Sequence, residues 1–282
     1  MSYNTHKGGK MIKIIVDSTC APSEKYLKEN GIYVNPLRIL FNDKEYVESD
    51  SLYDEIYDKM AQTKEIPRTS QPSLESFIKM YDEIIDNGDE AIVYTLSETL
   101  SGTYNCACLA QRSCKDPSKI TVFDTQSIGQ TSIGYVYETV DMIKKGKTVK
   151  EIVEYISKLR KNSAITFIPE SFENLKKNGR IGNLKAVVAS LLKIKPIVLF
   201  KEGVLSDKKS IGHNKAIMDM IKQVPQKIKR LFVIKAGKPN YFAEYKQKVL
   251  DYFKGIKILE GTVSPVVGAH VGPSIGLAWV AE

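Results

Sequence analysis

Apolar and polar positions alternate along this chain in two regimes. Up to about residue 162, short buried-strand runs are each followed by a stretch with helical spacing. Met11–Val16 and Ala91–Leu96 are apolar and partly β-branched, as is Ile120–Phe123, and each reads as a strand. A further strand is expected within Ile32–Phe41, followed by a turn at Asn42-Asp43. Leu52, Ile56 and Met60 recur at helical spacing behind Asp50 or Ser51. Helices are also expected from Pro22 to about Asn30, from Ser73 through Ile85, and from Tyr104 to about Ser113. Two more run from about Ser127 to Lys144 and from Val149 to Lys161. Alternating strands and helices predict a Rossmann-like parallel sheet flanked by helices. Ligands of such sheets sit at the carboxyl ends of strands. Asp17-Ser18, Ser97–Thr103 and Asp124-Thr125 fall there.

The pattern changes after Ser163. Ile165–Ile168 reads as a strand, then a helix over Glu170–Lys177 stops at Asn178-Gly179. Gly182-Asn183 opens an apolar helix over Leu184–Leu192. Ile194–Phe200 and Val204–Ile211 flank Glu202-Gly203, which predicts an antiparallel hairpin. A helix over His213–Gln226 and another from about Asn240 to Phe253 are set among strands Arg230–Ala236, Ile256–Leu259 and Ile275–Val280. The expected fold is therefore α/β with two domains. Residues 11–162 form the parallel α/β domain, and 163–282 form an α+β domain with a mixed or antiparallel sheet. Residues 1–10 are a polar leader, read as an appended tag, with Met11 the candidate native start.

Composition narrows the function classes. Of 282 residues, 43% are hydrophobic, enough for two cores, and no apolar run reaches membrane-span length. With no export signal, the cytoplasm is the expected location. Cys106 and Cys108 lie two apart on a predicted helix and face different directions, and no CxxC occurs, so no metal is expected. A net charge of +8 raises nucleic acid as a partner, but the lysines are dispersed among acids and no nucleic-acid motif is present. No nucleic-acid partner is expected.

Phosphate loops, HExxH and GxSxG are absent. Ser101-Gly102-Thr103 opens a helix just after a strand, placing hydroxyls and free N–H groups where an anion can sit. An ordinary N-cap is the competing reading. Pro67 and Pro72 bracket a hydroxyl-rich loop containing Thr69 and Ser70, which holds a hydroxyl in a fixed place. His270 stands alone in the Gly-rich stretch Gly268–Gly276, suited to hydrogen-bonding a carboxylate.

Val16-Asp17-Ser18-Thr19, Pro36-Leu37, Thr69-Ser70-Gln71-Pro72-Ser73, Leu100-Ser101-Gly102-Thr103-Tyr104, Gly179-Arg180-Ile181, Lys195-Pro196-Ile197 and Gly268-Ala269-His270-Val271-Gly272-Pro273 occur in this order. The ordered set resembles the DegV family, from about Met11 to the end. That family includes FakB, the fatty-acid-binding subunit of bacterial fatty acid kinase. The resemblance implies the DegV fold and one long-chain fatty acid, such as palmitate, stearate or oleate, held between the domains. It implies Thr69 and Ser101 as carboxylate ligands and His270 as an additional contact, with Ser70, Ser97, Gly102 and Thr103 supporting. It further implies Arg180 as a docking residue for a kinase subunit resembling FakA, in which the catalysis resides. No cofactor is implied, and transient membrane contact is compatible with the role. Cys20-Ala21, Ser274 and Gln130-Thr131-Ser132 depart from the usual family pattern and bear on pocket shape.

Two alternatives remain at this point. One is a Ser-dependent acyl hydrolase using Ser101 with His270, within a wider choice of Ser101 or Ser97 with His213 or His270. The other is a regulatory lipid-sensing protein without a kinase partner.

Overall fold

A computed structural model describes residues 11–20, 23–41, 44–180 and 194–282. The polar leader, the start of the first helix at Pro22, the Asn42-Asp43 turn and the apolar helix over Leu184–Leu192 lie outside the described residues. In chain order the strands are β1 (Ile12–Asp17), β2 (Tyr33–Asn35), β3 (Arg38–Phe41), β4 (Lys44–Val47), β5 (Arg68–Ser70), β6 (Glu90–Thr95), β7 (Ile120–Asp124), β8 (Ala164–Pro169), β9 (Ile194–Lys201), β10 (Val204–Ile211), β11 (Ile228–Ala236), β12 (Ile258–Thr262) and β13 (Ser274–Ala281). The helices are α1 (Glu24–Asn30), α2 (Tyr53–Thr63), α3 (Leu74–Asp86), α4 (Thr103–Ser113), α5 (Gln130–Lys144), α6 (Val149–Arg160), α7 (Glu173–Lys177), α8 (His213–Ile221), α9 (Phe242–Tyr252) and α10 (Pro265–Val271).

The expected parallel sheet is present, in the order β2-β1-β6-β7, with β1 paired in parallel to both β2 and β6 and β6 to β7. The chain reverses its direction of travel across the sheet between β1 and β6, which opens a crevice beyond their carboxyl ends. The expected hairpin is also present, Val204 lying opposite Lys201 in a six-stranded sheet of order β10-β9-β8-β13-β11-β12. That sheet is mixed, because β11 and β12 run parallel while its other pairs are antiparallel.

Burial explains the layering. Phe77, Tyr81 and Ile84 of α3, with Ala107 and Ala110 of α4, cover Ile15, Ala91 and Val93 on one face of the parallel sheet. On its other face, Ile14, Val16, Ile92 and Tyr94 pack with α5 and α6, which also meet Phe232, Ile234, Ala278 and Val280 of the six-stranded sheet. Helix α5 is accordingly buried almost all round, from Gln130 to Val136 without interruption. A Cβ on Gly134 would lie 2.5 Å from Val280 Cγ2, so glycine is what lets α5 approach β13. Arg230 of β11 ties this layer by reaching Glu138 at 2.7 Å and Asp141 at 2.6 Å on α5. Helices α8 and α9 cover the remaining face through Ile217, Met220, Tyr245 and Val249.

Several elements depart from the expectation. Ile32–Phe41 holds two strands, split at Pro36-Leu37, of which β3 joins a separate sheet of order β4-β3-β5. The hydroxyl-rich loop is thus partly strand, with Thr69 opposite Ile39. Helix α8 stops at Ile221, short of Pro225, in keeping with the extended preference of residues before proline. The Gly-rich stretch is not a loop throughout. Ser264 caps α10, Pro265 occupies its first turn, and Gly272 at φ 67° ends it.

Candidate functional site

The polar ends of these elements meet around one apolar cavity of about 340 Å³. Its size lies in the range of ligand pockets, roughly 300–1,000 Å³. Leu37, Leu96, Ile128, Phe167, Phe200 and Val263 are among its apolar walls. Thr69, Ser70, Gln71, Ser101, Gly102, Arg180 and His270 also line it.

Each polar group is held from behind. Asp17, buried at the end of β1, accepts from Leu96 N–H at 2.6 Å and from Thr19 N–H at 2.9 Å. Leu96 is thereby anchored, and the turn that follows closes on Ser97 O, which accepts from Leu100 N–H and Ser101 N–H. Thr99 Oγ1 donates to Gly203 O at 2.8 Å, joining this turn to the β9–β10 hairpin. Burial pushes Asp17 up to about 6, against the lowering effect of those hydrogen bonds.

Ser101 Oγ lies 2.9 Å from Thr103 Oγ1 and accepts from Thr103 N–H at 3.3 Å. It thus occupies a helix entrance while facing the cavity. A Cβ on Gly102 would lie 2.2 Å from Gln71 Oε1, so the glycine brings the two hydroxyl-bearing segments together. Ser97 and Thr103 are buried and lie off the cavity wall, Ser97 Oγ being 3.0 Å from Thr99 Oγ1. Their contact with the site runs through Ser101 and the turn before it.

Thr69 Oγ1 lies 2.9 Å from His270 Nε2. His270 Nδ1 is buried with no hydrogen-bond partner among the described residues. Burial, aided by the Arg180 charge, lowers His270 from 6.5 to about 4, so the imidazole is neutral near pH 7. Either tautomer leaves the Thr69–His270 pair one proton to donate: Nδ1–H in one case, the threonine O–H in the other. The helix that carries His270 is pinned on several sides. Asn174 and Asn178 donate to Ala269 O at 3.0 and 2.9 Å. Tyr57 O–H donates to Val263 O at 2.8 Å. Arg180 is exposed, donates to Asn178 O at 2.6 Å, and borders the cavity as well as a shallower recess at Gly203 and Val204.

The sequence reading did not single out Glu48, Tyr57, Asn174 or Asn178 as supports of this site. It carries no signal for them, since each acts across more than ninety residues of chain or from the side of an isolated strand. Among the described residues no group of His, Cys, Asp and Glu is arranged to hold a metal ion. Among them no helix is long and apolar enough to cross a membrane.

A family profile described as "Uncharacterised protein, DegV family" matches residues 11–282. The chain belongs to the DegV family. A DegV domain-containing protein of Staphylococcus aureus is 32% identical over 272 residues, covering 94% of this chain and 96% of that one. The structure of a DegV family protein from Thermus thermophilus, reported for its fatty acid binding, matches with a TM-score of 0.87 at 26% identity. It covers 96% of this chain and 100% of that one. A stearic-acid-binding protein from Eubacterium ventriosum has the same fold, with a TM-score of 0.87 at 24% identity over 96% of this chain and 98% of that one.

Proposed function

We propose that this DegV protein binds one long-chain fatty acid, with its tail in the cavity and its carboxylate at Thr69, Ser101 and His270. Palmitate, stearate and oleate are the expected class. The observation that carries this reading is an apolar cavity whose polar lining includes two hydroxyls and a neutral imidazole. The tail supplies most of the affinity, at roughly 0.8 kcal/mol per buried CH₂ and on the order of 10 kcal/mol gross for a long chain. Association and ordering costs offset much of that. Hydroxyl donors stabilise a carboxylate without burying a full counter-charge.

The carboxylate oxygens remain able to react, which suits a cytoplasmic carrier that presents them to a partner kinase resembling FakA. The kinase would transfer phosphate from ATP to form an acyl phosphate, and this chain would do no chemistry. Arg180, exposed beside the cavity with Lys176 and Lys177 nearby in sequence, is the proposed docking residue. A hydrolase would need Ser101 paired with a base. Here Ser101 Oγ bonds to Thr103 while His270 Nε2 bonds to Thr69, which favours the carrier. Titration of delipidated protein with palmitate, stearate and oleate tests the proposal. Saturable one-to-one binding is expected, and no uptake of any of the three refutes it.

A further inference from the structure

Glu48 is a carboxylate that the head-group chemistry above does not use. It follows β4 and is 3% exposed. Ser18 O–H donates to its Oε2 at 2.5 Å, and Val266 N–H donates to its Oε1 at 2.7 Å. Ser18 Oγ in turn accepts from Leu37 N–H at 3.0 Å, which obliges the serine to spend its proton on Glu48. One buried carboxylate therefore joins the turn after β1, the entry to β3 and the first turn of α10. Val266 and His270 are four residues apart on that helix and share a face. Strand β3 in turn pairs Ile39 with Thr69. The two partners of the Thr69–His270 hydrogen bond are thus each one element away from Glu48.

The surroundings make this a costly arrangement. Among the described residues, Asp17, Tyr53 and Tyr57 are the titratable groups that face Glu48 from β1 and α2, and none of them brings a positive charge. Burial raises Glu48 from 4.5 to about 7, with Asp17 adding to the rise. A protonated carboxyl carries a proton of its own to donate, to the Ser18 or the Ser264 hydroxyl beside it, so the hydrogen bonds that tie Glu48 to its neighbours rearrange with its charge.

We propose that Glu48 is a positioning residue of the head-group site, setting the Thr69–His270 pair through β3 and α10. Its effect on ligand rests on the fatty-acid reading of the cavity, whereas its effect on His270 does not. The test uses the full chain as wild type, Glu48→Gln and Ser18→Ala. An amide is isosteric but cannot accept on both sides, and Ser18→Ala removes one bond while sparing the acid.

The first readout is the imidazole ¹⁵N spectrum of ligand-free protein, with His270 assigned by loss of its signals in His270→Gln. Wild-type His270 should show a shift step near pH 7 that Glu48→Gln lacks. The second is palmitate affinity, expected to fall on the order of tenfold in Glu48→Gln, as for one lost hydrogen bond to a charged group. Ser18→Ala should likewise weaken palmitate binding and should move the His270 step to higher pH, because the bond that lowers Glu48 is gone, and it decides the matter should Glu48→Gln fail to fold. Unchanged His270 shifts, or changed shifts with wild-type palmitate affinity, overturn the assignment. Absence of palmitate, stearate and oleate binding in wild type would refute the fatty-acid reading alone, and the His270 spectra would still judge Glu48.

Discussion

Replacing His270 by glutamine should change how stability depends on pH, in a direction and amount that follow from its burial. Folding lowers the imidazole from 6.5 to about 4, because the ring is buried and Arg180 lies close enough to repel a second positive charge. Between those values the unfolded chain binds a proton that the folded chain refuses. The stability this group contributes is therefore complete above pH 6.5 and is lost as the pH falls through 4. At 1.36 kcal/mol per pH unit, the loss approaches about 3 kcal/mol. Asp17 and Glu48, raised to about 6 and about 7, act in the opposite sense, since folding favours their protonated forms. Both are present in wild type and variant, so subtraction removes them. Urea unfolding followed by circular dichroism, from pH 7 to pH 4, supplies the two profiles. The variant should gain about 3 kcal/mol on wild type across that range. Parallel profiles would mean that His270 titrates in the fold as it does in the unfolded chain, and the neutral head-group site would be refuted.

Thr69→Val and Ser101→Ala each remove a hydroxyl with little change in shape. Each should weaken palmitate binding by about tenfold or more, measured by calorimetry, while the melting temperature stays near wild type. Wild-type affinity in both would remove these hydroxyls from the head-group role. Arg180→Ala should leave fatty acid bound but slow acyl phosphate formation by an added FakA-like kinase, and an unchanged rate would end its docking role. The same variant should raise the value at which His270 titrates, because one repelling charge is gone.

Much of the architecture was legible because it follows from local pattern. The strand runs at β1, β6 and β7, the Glu202-Gly203 turn and the Ser73 cap each declare themselves within a few residues. Gly31 ends α1 with a left-handed φ of 59°, the conformation its position at a helix stop implies. The β4-β3-β5 sheet was not legible, since strands of three and four residues are too short to show a period. Thr69 was therefore expected on a loop, where pairing with Ile39 in fact holds it. His270 was expected on a glycine-rich loop, although Ser264-Pro265 signals a helix start. The cavity-lining positions of Thr69, Ser101 and His270 came from the ordered motifs. The supports behind them, Glu48 and Asn174 above all, are tertiary contacts with no sequence period to reveal them.

The central claim is that this fold holds a fatty acid by its carboxylate at Thr69 and Ser101. Mass spectrometry of lipid extracted from purified protein, wild type beside the Thr69→Val, Ser101→Ala double variant, tests it most directly. Wild type should yield a fatty acid near one equivalent per chain, and the double variant should yield much less. Lipid-free wild type, or equal occupancy in both proteins, would contradict the account.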